Sequence, residues 1–548
     1  MKYYIGVDVG TGSVRSALFD SHGNLVTVAT EKIKIWTPSA DYYEQSSFNI
    51  WNAVIHTIKK ILSDSEVKKE EIGGIGFDAT CSLVVIGKND SSITVSPSGQ
   101  PECNIIMWMD HRAVNQTERI NSTHHSVLKN TGGQISVEME PPKLMWMKEN
   151  LPDTWKSATH FFDLADYLTW KATGNLTRSL CSLTCKWTYQ ADDQGHRGWN
   201  DEFWEVIGID DFVKEKYQRC GTDVKSPGDV CGEGLTNEAA EQLGLVPGTA
   251  VGTSIIDAHA GVLGCVGCVA ENEHFAMPDI TSRMTMICGT STCHMIMSKE
   301  AIFVPGVWGP YYSPILPGLW SAEGGQTAAG KLIDFIVETH PAYQKLKDSA
   351  SERNLHVYEV LEDRLLQLIN EHKVFAMSQL TKHLHIWPDF HGNRSPLSDP
   401  ALKGMVSGLT LSSEMDDLAV KYLATVQALA YGTRHIIDEM VKSGHKIELI
   451  YICGGLSKNQ VYVKTHVDVT GIPAILPNEQ ESVLLGAAML GASASGNFKN
   501  VQDAVKQMGG KGKLIRPDLQ ERQYHDKKYQ VFQRMVQHQR EYTAIMDG

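Results

Sequence analysis

A short apolar strand that runs directly into a turn of glycine and small hydroxyl residues recurs along this 548-residue chain. The first instance is Tyr3–Val9 followed by GTGS, the second is MTMICGTS at 284–291, and the third is 447–452 running into CGGLSKN. Glycine lets another group approach the backbone closely, and such turns present N–H groups to anions. The pattern therefore favours a fold whose strands end at open, ligand-facing turns.

The spacing between these turns predicts an α/β fold. Residues 14–19 and 25–29 are predicted as two further strands, and residues 48–62 carry apolar side chains at helical spacing. A short buried strand at 73–77 follows, and strands then alternate with helices, which is typical of the α/β class.

The chain is too long for one core, and its halves resemble each other weakly. The stretch 271–282 is polar and contains Pro278, so we place a boundary there, between domains 1–270 and 271–548. Near the end, 509–516 is predicted as a basic loop and 524–546 as a polar terminal helix.

Composition excludes several classes of function. The net charge of −14 argues against a nucleic-acid partner. A membrane partner is not expected, since we find no run of about 18 uncharged apolar residues and no signal peptide. The 11 cysteines fit reduced thiols and a cytoplasmic location, and the CxxC pair Cys265 and Cys268 is interpreted as small-residue packing.

The first turn has the chemistry of a phosphate site. Gly10 and Gly12 open the backbone to phosphate oxygens, and Thr11 and Ser13 add hydroxyl donors. Asp8 at the strand end suits Mg²⁺, and Arg15 suits a developing negative charge. An ordinary hairpin turn is the alternative, because the spacing matches neither a Walker A loop nor GxGxxG.

The second and third turns repeat this logic. Gly289, Thr290 and Ser291 would hold phosphates from the opposite side, and Gly455 with Asn459 would lie against a flat base. Asn459 would also open the next helix. The alternative for this third turn is an ordinary strand-to-helix loop.

Polar residues in apolar surroundings are the remaining candidates. Asp257 interrupts TSIIDAHAGVLG, where a carboxylate costs free energy unless it is paired or hydrated, so it is a candidate general base or a helix N-cap. His259 is interpreted as structural. A polyol pocket, or else a set of satisfied structural polar residues, is predicted from Asp78, Thr80, Trp108, Asp110, Lys186 and Glu323.

Nine segments together resemble one known family, the FGGY carbohydrate kinases of the actin-like ATPase superfamily. The resemblance spans residues 1–496 with the motifs in order, and it is carried by DVGTGSVR, FDATCSL, MWMDHR, CKWTY, IIDAHAG, CGTS, SAEGGQTAAG, HGNRSP and ICGGLSKN. It implies two ribonuclease-H-like α/β domains that close on sugar and ATP, with a sugar-binding domain first and a nucleotide-binding domain second.

The resemblance also implies roles for individual residues. Asp257 matches the catalytic base, and Asp8 matches the residue at the magnesium ion. The first phosphate loop of the family matches Gly10, Thr11 and Arg15, and the second matches Gly289 and Thr290. The adenosine contacts match Gly330, Gly455 and Asn459, and a tryptophan of the substrate pocket matches Trp108.

Substrate choice follows from fewer residues. DATCS, MWMDHR and the sugar-contacting Lys186 and Glu323 resemble the ribulose kinase branch, so D-ribulose is the expected substrate. L-ribulose, xylulose or a pentitol stays open, as does a sugar-sensing or nucleotide-binding protein without kinase activity. A homodimer also stays open.

Overall fold

The computed structural model describes residues 2–272 and 274–548. Met1, which the resemblance includes, and Glu273, in the predicted boundary stretch, lie outside the described residues. Below, the first half means residues 2–270, and the second half means the described residues of 271–548.

The first half contains fifteen strands, the last of which is β15 Val269–Ala270, and ten α-helices. The other strands are β1 Tyr3–Val9, β2 Ser13–Asp20, β3 Leu25–Lys32, β4 Glu44–Gln45, β5 Ile72–Ala79, β6 Leu83–Gly87, β7 Ile105–Ile106, β8 Ala158–Asp163, β9 Arg178–Ser179, β10 Gln190–Ala191, β11 Arg197–Gly198, β12 Val224–Lys225, β13 Ala250–Val251 and β14 Ile255–Ile256. The helices are α1 Ser47–Asp64, α2 Val114–Ser122, α3 Glu140–Asn150, α4 Pro152–Ser157, α5 Leu164–Thr173, α6 Leu180–Lys186, α7 Asp201–Val206, α8 Asp210–Lys214, α9 Asn237–Leu243 and α10 Asp257–Val266.

The remaining elements run from β15, at the end of the first half, to the C-terminus. The strands are β15 Val269–Ala270, β16 Arg283–Cys288, β17 Thr292–Ser298, β18 Trp308–Tyr312, β19 Trp320–Gln326, β20 His385–Trp387, β21 Met405–Ser407, β22 Leu449–Cys453, β23 Ala474–Pro477 and β24 Lys511–Ile515. The helices are α11 Gly330–Glu338, α12 Tyr343–Arg353, α13 Val357–His372, α14 Met415–Lys442, α15 Gln460–Thr470, α16 Ser482–Ala494, α17 Val501–Met508 and α18 Arg522–Asp547.

Two mixed sheets share one strand order. In the first sheet the order is β3-β2-β1-β5-β13, with β1 to β3 antiparallel and β5 and β13 parallel to β1. The second sheet repeats it as β19-β17-β16-β22-β23 with the same directions. The duplicated order confirms the predicted pair of α/β halves and places the GTGS and GTS turns at equivalent hairpins.

Local sequence explains the early elements. Six of the seven residues of β1 are buried, because a central strand covered on both faces needs a nearly continuous apolar run. Helix α1 begins where the Ser46 side chain accepts a hydrogen bond from the Asn49 amide, and Ile50, Val54 and Ile58 form its buried stripe. These elements lie where the sequence predicts them.

Two helices cross between the sheets. Helix α16 of the second half packs against β1 and β5 of the first sheet, and α10 of the first half packs against β16 of the second. The approach of α16 requires glycine, since a Cβ at Gly6 would lie 2.0 Å from the Leu484 carbonyl oxygen. The halves are therefore joined by exchanged helices as well as by the chain between them.

The C-terminal region extends the second half. The prediction of a basic loop at 509–516 was wrong: Lys511–Ile515 forms β24, which pairs antiparallel with β23. That pairing is a tertiary contact and leaves no local sequence signal. The predicted terminal helix is α18, whose Phe532 ring lies 4.4 Å from the ring of Trp387 in β20.

Membrane spanning was also tested on the structure. Among the described residues, no helix combines the length and the apolar character that crossing a bilayer requires.

The contact between α10 and α16 yields a stability prediction. A Cβ at Gly264 would lie 1.8 Å from the Ser482 carbonyl oxygen. We expect Gly264→Ala to destabilise the protein by about 1–3 kcal/mol through overpacking, although alanine gains about 1 kcal/mol in helix propensity. A thermal unfolding scan checks this. The control is Gly198→Ala, where an added Cβ meets nothing within 4 Å; equal melting temperatures for both variants would contradict the prediction.

Candidate active site

Three carboxylates meet at one edge of the first sheet. Asp8 in β1 is the register partner of Asp78 in the parallel strand β5, and Asp78 is the register partner of Ile255 in β14. Asp257 follows β14 directly as the first residue of α10. The carboxyl ends of parallel strands meet at one edge, where ligands bind in α/β folds.

One guanidinium holds Asp8. The Arg15 Nε and Nη2 groups donate to one carboxylate oxygen of Asp8 at 2.9 and 2.5 Å. Arg15 Nη1 also donates to Glu481 at 2.6 Å, just before α16 begins. Sequence reasoning missed Glu481; its only signal is an acidic residue before an apolar helix.

Asp78 is the least satisfied of the three carboxylates. It is fully buried, and within residues 2–272 and 274–548 neither of its oxygens has a hydrogen-bond partner. Burial and then the charges of Asp8 and Asp257 raise the pKa of Asp78 well above its ordinary value. Such a carboxyl either keeps its proton or needs a cation beside it.

Asp257 is held with an oxygen free to act. Its Oδ1 accepts a hydrogen bond from the Ala258 amide at 2.7 Å. Burial and then the charge of Asp8 raise the pKa of Asp257 to about 6. The helix N-cap is Ile256, so Asp257 lies one position inside the helix rather than at the expected N-cap. A pKa near the working pH is typical of a general base.

The first turn is open on its outer side. The Gly10 amide donates to the Ser13 carbonyl at 3.0 Å, which closes the turn between β1 and β2. A Cβ added at Gly12 would meet nothing within 4 Å. The Thr11 hydroxyl accepts from Trp108 Nε1 at 3.1 Å, so a predicted pocket residue directly contacts the predicted phosphate turn.

The second turn lies against two other predicted residues. Gly289 opens the β16–β17 hairpin, which Thr290 and Ser291 complete, and its carbonyl accepts from the Gly330 amide at 3.0 Å. A Cβ at Gly330 would lie 2.6 Å from that carbonyl oxygen, so glycine is required at the start of α11.

The third turn contacts the second through the backbone. Gly454, which precedes Gly455, has a φ of +87°, and a Cβ there would lie 2.5 Å from the Cys288 carbonyl oxygen. Asn459 caps α15 by accepting from the Tyr462 amide at 3.0 Å, and its amide also donates to the Tyr422 hydroxyl at 2.7 Å. Asn459 therefore opens the helix that follows the third turn, as the sequence predicts.

Residues of the two halves meet in a charged cluster. Lys186 Nζ, at the end of α6, lies 3.8 Å from Glu323 Oε2 in β19. Arg394 Nη2 donates to Glu323 Oε1 at 2.7 Å, and Lys186 and Arg394 both lie over the Trp308 ring, at 4.3 and 3.9 Å from its centroid. We call Lys186, Glu323, Arg394 and Trp308 the inter-half cluster.

The charges of this cluster are set by one another. Burial acts against ionisation of Glu323, but the charges of Lys186 and Arg394 lower the pKa of Glu323 to about 2. Burial likewise opposes the charge of Lys186, yet Glu323 raises the pKa of Lys186 above its ordinary value. Both groups are therefore ionised while buried, and their 3.8 Å separation is too long for a direct hydrogen bond.

Thr80 and Asp110 have different surroundings. The Thr80 amide donates to the Val9 carbonyl at 3.0 Å, which places Thr80 beside the first turn. Asp110 is fully buried, and its oxygens accept from the Tyr43 amide and from the backbone, Nε and Nη2 of Arg112. Each Asp110 oxygen thus accepts two hydrogen bonds from the protein, and the side chain holds its loop, while the sugar contact of Asp110 stays a prediction.

A cleft of about 640 Å³ opens beside the inter-half cluster. Its walls come from both halves and include His111, Glu138, Trp308, His391 and Arg394. The sequence predicts no role for Arg394, although this residue lies in HGNRSP, one of the segments that carry the family resemblance. A charged residue beside Pro and Gly in a loop is the signal that was available.

Asp78 yields a pH-dependence prediction. The pKa of Asp78 is raised in the folded state. The wild-type protein therefore loses stability as the pH rises from the pKa of this group in the unfolded chain through its pKa in the folded protein. Asp78→Asn removes that loss. We therefore expect the melting temperature of the variant minus that of the wild type, both measured in EDTA, to increase between pH 5 and pH 8. The control is Asp64→Asn on the exposed side of α1. An equal pH dependence in wild type and Asp78→Asn would contradict the assignment.

Comparisons with known proteins agree with this geometry. The models of the N-terminal and C-terminal domains of the FGGY family of carbohydrate kinases match residues 3–264 and 284–495. An FGGY carbohydrate kinase domain-containing protein from Homo sapiens is 53% identical over 100% of this chain and 98% of its own length. A D-ribulokinase from Saccharomyces cerevisiae is 40% identical over 91% of this chain and 72% of its own length.

Solved structures show the same fold. The xylulose kinase from Rhodospirillum rubrum superposes with a TM-score of 0.77 at 18% identity and covers 99% of each chain. With the duplicated sheets, the glycine turns and the matches to both family models, the chain belongs to the FGGY family of carbohydrate kinases.

Proposed function

We propose that this protein transfers the γ-phosphoryl group of ATP to a ketopentose, with D-ribulose as substrate and D-ribulose 5-phosphate as product. The observation that carries the proposal is the gap between Lys186 Nζ and Glu323 Oε2, two buried ionised groups 3.8 Å apart. A sugar hydroxyl suits this gap, because it accepts a hydrogen bond from an ammonium and donates one to a carboxylate. The D-ribulokinase relative supports the choice of sugar.

The two halves have separate tasks in this proposal. Residues 1–270 form the sugar-binding domain, with Trp108 as an apolar wall and Lys186 as a donor. Residues 271–548 form the nucleotide-binding domain, in which Gly289, Thr290 and Ser291 face the phosphates. Adenosine lies against Gly330, Gly455 and Asn459. The contact of Gly330 with the second turn supports this grouping.

Asp257 acts as the general base. It takes the proton from the terminal hydroxyl of the sugar, the hydroxyl oxygen forms a bond to the γ-phosphorus, and the bond from that phosphorus to the β–γ bridging oxygen breaks as ADP leaves. The pKa of about 6 keeps Asp257 mostly ionised at neutral pH. Arg15 and the amides of Thr11, Gly12 and Ser13 stabilise charge on the transferred group.

Asp8, assisted by Asp78, would hold Mg²⁺. The orphaned and buried oxygens of Asp78 fit this ion, which prefers carboxylate oxygens, and among the described residues the charge of Asp8 is balanced by Arg15. When bound, the ion neutralises negative charge on the phosphates of ATP. Asp78 thus moves in our proposal from the sugar pocket to the phosphate end of the site.

Two wider properties belong to the proposal. All eleven cysteines are free thiols, which supports a reducing, cytoplasmic location. A homodimer is the oligomer that we would test first, because two-fold dimers are the commonest assembly of soluble proteins.

The substrate is tested by sugar-stimulated ADP release with Mg-ATP. We expect kcat/KM to be highest for D-ribulose in a panel with L-ribulose, D-xylulose, ribitol and glycerol. Activity on another member would retain the mechanism and change the substrate. No stimulation by any sugar would overturn the kinase proposal for this panel and favour a sugar-sensing protein.

The base is tested by Asp257→Asn, which keeps the shape and removes proton acceptance. We expect kcat to fall by about 10²–10⁴-fold with ATP binding nearly unchanged. Steady-state kinetics and nucleotide titration measure the two effects. The exposed Asp64→Asn serves as the control, and turnover near the wild-type value in Asp257→Asn would remove Asp257 from this role.

A further inference from the structure

Helices α6 and α10 bring two thiols and an imidazole together next to Lys186, the last residue of α6. Cys181, Cys185 and His259 are all buried, and one ligand atom of each lies within 4.8 Å of the others. The Cys185 Sγ to His259 Nε2 distance is 3.5 Å. Among the residues that the structure describes, this is the only group of three or more His, Cys, Asp or Glu side chains placed to share a metal ion.

The spacing of these residues is that of a helix-borne chelate. Cys181 and Cys185 are four residues apart in α6, so both thiols lie on one helix face, and His259 faces them from α10. Tetrahedral Zn²⁺, with bonds of about 2.3 Å to sulfur and 2.0–2.1 Å to nitrogen, puts a sulfur and a nitrogen ligand about 3.6 Å apart. The observed 3.5 Å matches that separation.

We propose that Cys181, Cys185 and His259 form a site for a thiophilic divalent metal ion of the Zn²⁺ class. Two thiolates and one imidazole are soft and borderline ligands, which select zinc over magnesium or calcium. Two thiolates also neutralise a divalent cation, so the loaded site adds no net charge to a buried region.

The three residues lie on two helices that also carry residues of the candidate active site. Helix α6 ends at Lys186, and α10 begins at Asp257. An ion bound between the helices ties the segment that carries the pocket lysine to the segment that carries the carboxylate of the sheet edge. This inference is independent of the kinase proposal, because the ligands are neither the carboxylates nor the glycine turns.

The test uses the full chain, freed of metal by dialysis against a chelator and kept reduced. Addition of one equivalent of Co²⁺ is expected to produce a thiolate-to-cobalt charge-transfer band, and Zn²⁺ is expected to displace it. Zn²⁺ should also raise the melting temperature, because it binds the folded state. Absence of the band at one equivalent in the wild-type protein would overturn the proposal without any variant.

Variants then assign the ligands. Loss of a residue that hydrogen-bonds to a metal ligand lowers metal affinity by roughly 10–100-fold. Cys185→Ser removes a ligand itself, so we expect the affinity for Zn²⁺ to fall by more than that. Cys265→Ser is the matched control, since Cys265 is another buried free thiol in α10 and is not part of the trio. Equal affinity in wild type and Cys185→Ser would overturn the ligand assignment. If Cys185→Ser does not fold, Cys181→Ala is measured in its place, with the same expectation.

Discussion

The concentration of negative charge at the edge of the first sheet is the constraint on which the site depends. Asp8, Asp78 and Asp257 end three neighbouring parallel strands, and one guanidinium, that of Arg15, is bonded to one of them. The free energy of that arrangement is unfavourable without a cation or a shared proton. The fold therefore favours the binding of positive charge at this edge of the first sheet, beside the turn that joins β1 to β2.

The exchanged helices explain how this edge is connected to the second half. Gly264 and Gly6 let backbone oxygens of α16 approach α10 and β1 within distances that no side chain permits. Arg15 then reaches Glu481 at the start of α16. Arg15 therefore links Asp8 in the first half to the residue that precedes α16 in the second half.

Much of the framework was predictable because it depends on local signals. The strands Tyr3–Val9 and Leu449–Cys453 and the helix Ser47–Asp64 have the required periodicity, and the glycine turns carry chemistry in their own residues. Contacts distant in sequence were not predictable. Asp110 was expected in the sugar pocket, yet its oxygens are occupied by Tyr43 and Arg112, and no local pattern reveals such saturation.

The same reasoning separates the polar residues of the pocket into two kinds. Asp110 is satisfied by the protein, so it gains nothing from a ligand, whereas Lys186 and Glu323 are ionised, buried and slightly too far apart to satisfy each other. A buried charge pair at this separation is costly on its own, and a hydroxyl that bridges its members from the side would form a hydrogen bond with each. In our proposal the sugar binds where the folded protein leaves Lys186 and Glu323 without a full set of partners, and satisfied residues such as Asp110 hold the surrounding loops in place.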